Sequence, residues 1–66
     1  MSWVVGIEQR SPYEFIQIEV FEEESDAVLF AETYMSRRGH KLSKRTWRFA
    51  NNADYVTNLV VRKRRR

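Results

Sequence analysis

EEESDAVLFAETYMSRRG, residues 22–39, reads clearly as a helix and separates an acidic half of the chain from a basic one. Glu22, Glu23, Glu24 and Asp26 crowd its amino end, where carboxylates meet the positive end of the helix dipole, and Arg37 and Arg38 fall beside the negative end. Ser25 has the side chain of an N-cap, with an oxygen able to accept from a free backbone N–H one turn on, and Glu24 or an adjacent residue is the alternative for that place. Gly39 is placed to stop the helix in a left-handed conformation. Between these ends Ala27, Phe30, Ala31, Tyr34 and Met35 recur at steps of three and four and form one apolar stripe, widened by Val28 and Leu29. A helix of this kind, roughly 20 Å long, can cover one face of a small sheet.

The flanking segments supply that sheet. In residues 2–9, Trp3, Val5 and Ile7 alternate with Val4, Gly6 and Glu8, a strand pattern whose odd positions face inward. Gly6 on the outer parity marks a bulge or a close approach of another backbone. Residues 10–13 hold Pro12, the one proline of the chain, and read as a turn. Residues 14–21 alternate most cleanly, with Ile16, Ile18 and Val20 on one side and Phe15, Gln17, Glu19 and Phe21 on the other, so the two runs predict an antiparallel hairpin. After Gly39 the polar residues 40–44 read as a surface return. Residues 45–49 resume strand character with Trp47 and Phe49 on one side, residues 51–54 carry turn chemistry, and residues 55–61 form a last strand whose inward face is best assigned to Tyr55, Leu59 and Val61. The expected fold is α+β, in the order β-β-α-β-β: an antiparallel four-stranded sheet with one helix packed on one face. Residues 1–61 make one compact domain, and residues 62–66 a flexible basic tail. The second sheet face is left open, with Phe15 and Phe21 on it as a patch for a protein partner.

With 66 residues the chain buries only about 60% of its unfolded surface. It has no cysteine, so neither a disulfide nor a cysteine-held zinc supplements that core, and its single histidine is too few for other common metal sites. A chain this small without staples is expected to gain from self-association, as a homodimer or in a larger assembly. Hydrophobic content of 42% argues for a folded chain. No apolar run approaches the roughly 20 residues that span a bilayer, and the amino-terminal residues do not form a signal peptide, so the expected location is cytoplasmic, with no membrane partner.

The net charge of +3 conceals a strong asymmetry. Residues 1–26 hold seven acids against Arg10, for −6, whereas residues 27–66 hold eleven bases against Glu32 and Asp54, for +9. Within residues 37–49, RRGHKLSKRTWRF, the cations Arg37, Arg38, Lys41, Lys44, Arg45 and Arg48 are interleaved with Trp47 and Phe49. Cations neutralise phosphates and flat rings stack on unpaired bases, so this mixture suits single-stranded nucleic acid, provided the rings are not buried. The run Arg62, Lys63, Arg64, Arg65 and Arg66 repels itself until a polyanion orders it.

The enzyme classes find little support. A histidine is the side chain that exchanges a proton nearest neutral pH, and His40 among cations could act as the base of a small ribonuclease, but one histidine beside a helix stop is ordinary surface chemistry. No oriented serine–histidine–acid relay is evident, and two glycines do not make a phosphate loop. The acidic run lacks calcium-loop spacing and reads as helix capping. The expectation is a non-enzymatic protein without a cofactor that binds RNA or single-stranded DNA through residues 37–48 and the arginine run. The alternative is a protein-binding module, an inhibitor or adaptor, acting through an exposed sheet face or edge strand.

Overall fold

Alternating side chains on a pleated backbone point to opposite faces, so residues 2–9 and 14–21 can each bury one row. In the computed structural model, which describes residues 2–10, 12–50 and 57–64, these segments are β1 (Ser2–Gln9) and β2 (Glu14–Phe21), an antiparallel hairpin turned around Pro12. There follow α1 (Glu24–Met35), β3 (Gly39–Ser43), β4 (Thr46–Phe49) and β5 (Thr57–Arg64). The fold is α+β, with one helix on a five-stranded antiparallel sheet in the order β2-β1-β5-β4-β3. The last strand therefore lies at the centre, between the two hairpins. The turn read at residues 51–54, and Tyr55, lie outside the described residues.

The fifth strand, β3, was expected to be a surface return. Its residues GHKLS carry no apolar alternation, because a strand at the edge of a sheet is held by its backbone and not by buried side chains. Gly39 pairs with Phe49, His40 with Arg48 and Lys41 with Trp47. Gly39 opens this strand, and its role is close approach, not a left-handed helix stop: a Cβ there would overlap the backbone oxygen of Arg48 and lie 2.8 Å from Met35 Cε.

The helix also departs from its expected ends. Glu23, with φ −113° and ψ 139°, is the N-cap and makes no side-chain cap hydrogen bond, so Ser25 lies inside the first turn with Glu24 and Asp26. The chain leaves β2 still extended and bends at Glu23, which places the helix start ahead of the serine. At the other end Arg37 and Arg38 lie beyond the C-cap Ser36. Arg38 still completes the terminus, since its Nη1 donates to the Tyr34 carbonyl at 2.6 Å and its N–H to that of Met35 at 3.1 Å.

Ala27, Ala31 and Met35 are buried against Val5, Trp47, Leu59 and Val61, with Phe30, Tyr34 and Val28 at the margin. Two alanines at a four-residue step let the helix backbone come close to the sheet, and Met35 fills the space at its far end. Leu29, expected to widen the stripe, is 62% exposed and points away. The inward assignment of Leu59 and Val61 is borne out.

One irregularity changes which residues share a face. Val5 pairs with Glu19 but Gly6 with Gln17, so β2 carries one extra residue at Ile18. A bulge of this kind reverses the alternation beyond it. Phe15 stays on the open face, opposite Glu8, while Phe21 moves to the helix side, opposite Trp3, where its ring lies 5.4 Å from that of Phe30. The expected pairing of Phe15 with Phe21 on the open face is thus corrected. Gly6 serves both readings offered for it, beside the bulge and close to another backbone, since a Cβ would lie 2.8 Å from the Ile16 carbonyl oxygen; it would also strike the Phe15 ring.

Candidate nucleic-acid interface

Register determines which cations share a surface. Helix-side positions include Val5, Trp47, Leu59 and Val61, so their sheet neighbours Val4, Arg48, Asn58, Val60 and Arg62 project from the other face, bare in that no helix or strand among the described residues packs on it, although Val4 and Val60 are themselves buried there. Arg64, opposite Ser2, and His40, opposite Arg48, share that parity. Arg62, Lys63 and Arg64, read as part of a tail, belong to β5 and are fixed in the sheet, with Arg62 and Arg64 on the bare face and Lys63 on the other. Arg65 and Arg66 lie outside the described residues.

The cations around the β3–β4 connection behave differently. Lys41 Nζ lies 3.1 Å from Glu32 Oε2 and 5.7 Å from the Trp47 ring centre. Arg45 lies 3.6 Å from the Glu24 carboxylate and over the Trp3 ring at 5.1 Å, and Lys44 reaches the same carboxylate at 4.0 Å. Two helix carboxylates thus engage three of the six cations in the segment that the sequence made most suggestive. Trp47 is 3% exposed and Phe49 packs at the core margin, so neither offers a ring for stacking. Arg37 and Arg38 are exposed at the helix end, with Arg38 over the Tyr34 ring at 4.4 Å.

On the bare face the most constrained group is Arg62. Its Nη2 lies 2.7 Å from Glu8 Oε2 and donates to the Tyr13 hydroxyl, while its guanidinium carbon sits 4.0 Å from the Phe15 ring centre. Tyr13 donates to the same Glu8 oxygen at 3.3 Å. The hydrogen bond to Tyr13 holds the guanidinium above its ordinary pKa, aided by Glu8 and opposed by burial. Arg48 Nε meets a neutral partner among the described residues, donating to Asn58 Oδ1 at 3.4 Å. No ion pair involving Arg48 or Arg64 occurs among the described residues.

Sequence reasoning missed Glu8, Tyr13 and Asn58. Their roles depend on β5 lying between β1 and β4, and no local signal announces that pairing. Among the described residues no three histidine, aspartate or glutamate side chains gather for a metal, and no helix is long and apolar enough to cross a membrane. No family model matches the chain, and neither a curated protein nor a solved structure shows a match.

Proposed function

We propose that the chain is a non-enzymatic nucleic-acid-binding protein whose contact surface is the bare face of the sheet. The observation that carries this reading is the placement of Arg48, Arg62 and Arg64, with His40, on the face opposite the acid-rich helix. Cations that the register points away from α1 cannot reach its carboxylates as Lys41, Lys44 and Arg45 do, so Arg48 and Arg64 remain available to phosphates, while Arg62 is held by Glu8. Compared with the sequence expectation, the site moves from the loop to the strands while the class of partner stays the same.

The test is a fluorescence titration of labelled RNA and DNA at several salt concentrations, with the full chain and with the Arg48→Ala/Arg64→Ala double variant. Binding should weaken with salt, and the double variant should lower the magnitude of the logarithmic salt slope by about 1.4 for a single strand, at about 0.7 per phosphate contact. An unchanged slope would remove the bare face from the account.

A second reading, strand addition by a protein partner, is favoured by one observation. β2 is an edge strand, and its Ile16 is 48% exposed opposite Ile7. Under that reading Ile16→Lys abolishes partner binding and the double arginine variant leaves it intact.

A further inference from the structure

Resting on the nucleic-acid reading of the bare face, a narrower conclusion comes from the layered arrangement at its β2 side. The Phe15 ring presses on Gly6, where a Cβ would collide with it, and the Arg62 guanidinium lies over that ring at 4.0 Å. Glu8 and the Tyr13 hydroxyl grip the guanidinium at its edge, and the Tyr13 ring, at the β1–β2 turn, is 57% exposed. Arg62 is therefore oriented before any ligand arrives. Its charge already has a carboxylate at 2.7 Å, which makes it a weaker phosphate anchor than Arg48 or Arg64. Its side chain nevertheless remains 40% exposed with one side of the guanidinium against Phe15, so what it still offers a ligand is a flat surface.

Flat surfaces of this type, an arginine plane or an aromatic ring, take unpaired bases by stacking and do not read a duplex, whose bases already stack on one another. We infer that Arg62, backed by Phe15 and flanked by Tyr13, is a stacking platform for an unpaired base, and that the partner is single-stranded nucleic acid and not a duplex. The neighbouring cations fit such a strand. Along β5, Arg64 lies two residues from the platform and Asn58, beside which Arg48 projects, lies four residues the other way, about 7 and 13 Å at the strand rise. Phosphate contacts thus flank the platform on both sides.

The experiment compares a short labelled RNA, the same sequence as single-stranded DNA, and the DNA duplex at one salt concentration, using the full chain and the variants Tyr13→Ala, Tyr13→Phe and Arg62→Lys. Thermal melts accompany each variant. The single strands should bind more tightly than the duplex. Tyr13→Ala should weaken single-strand binding by about 5- to 150-fold, the worth of one stacked base, without changing the salt slope, and Tyr13→Phe should retain most of it. Arg62→Lys keeps the charge and loses the plane, so it should weaken single-strand but not duplex binding, which preserves the test if Tyr13→Ala does not fold. A duplex bound as tightly as the single strands, with Arg62→Lys indistinguishable from the parent, overturns the platform and leaves the phosphate-binding reading of the face standing. No binding of any of the three probes overturns both.

Discussion

On the helix-covered side of the sheet, Lys41, Lys44 and Arg45 each reach a carboxylate of α1 within 4.0 Å; on the bare side, Arg48 has an amide and Arg64 no ion pair among the described residues. The same residue types thus have opposite uses, according to which element lies above them. Beneath the helix, small residues bring the backbone close and the surrounding cations close the rim. Away from it, the central position of β5 keeps its arginines apart and holds them in register. A run such as RKR at residues 62–64 is accordingly not one patch, because the pleat sends its first and third members to one face and its second to the other.

The largest expected effect should separate the two faces by stability. Leu59 is fully buried on the covered side, so Leu59→Ala should cost about 2–5 kcal/mol, most of what a domain of this size can have. Arg48→Ala on the bare side should cost no more than about 1 kcal/mol, as the loss of one hydrogen bond. Urea unfolding of both variants measures the contrast, and equal losses would mean that Arg48 is held as firmly in the fold as a fully buried leucine.

A smaller effect tests the bulge that divides Phe15 from Phe21. Phe21→Ser removes a ring packed on Phe30 at the core margin, and should cost about 2–3 kcal/mol, below the figure for a fully buried phenylalanine. Phe15→Ser removes the surface beneath Arg62 and should cost less in stability while weakening single-strand binding. Were both phenylalanines equally costly and equally silent in binding, the reversal of faces along β2 would lose its consequence.

That reversal also marks the limit of what the sequence makes legible. Residues 2–9 and 14–21 show their strands through alternation, and the apolar stripe of the helix shows which residues meet the sheet, because burial imposes a period. Edge strand β3 imposes none, since its side chains are mostly exposed and its stability comes from backbone pairing. An inserted residue at Ile18 leaves the alternation of the sequence perfect and the faces exchanged, so Phe21 is assigned wrongly by a rule that otherwise holds. The binding candidates suffer most, because charge has no period at all. Lys44 and Arg45 lie four and three residues before Arg48 in the chain but find Glu24, 20 and 21 residues earlier, once α1 is laid down. The cluster of Glu8, Tyr13 and Arg62 brings together positions 54 residues apart and exists only when the last strand pairs with the first.

The smallest expected effect therefore bears most directly on where the surface lies. Lys44→Ala and Arg45→Ala, singly or together, should leave nucleic-acid affinity and its salt slope nearly unchanged, although these residues sit in the most basic-aromatic stretch of the chain. Their ammonium and guanidinium groups are engaged with Glu24 on the covered side, and exposed pairs of this kind contribute about 0–1 kcal/mol to stability, so the fold should survive their removal. Glu24→Gln sharpens the point. With the carboxylate gone, Lys44 and Arg45 regain free charge, and any gain in affinity should appear as a steeper salt dependence in this variant and be absent from Glu24→Gln combined with Lys44→Ala and Arg45→Ala. If instead the two alanine substitutions in the parent chain reduce binding as strongly as Arg48→Ala/Arg64→Ala, phosphates reach around the sheet edge to the helix side, and the division of labour between the faces fails.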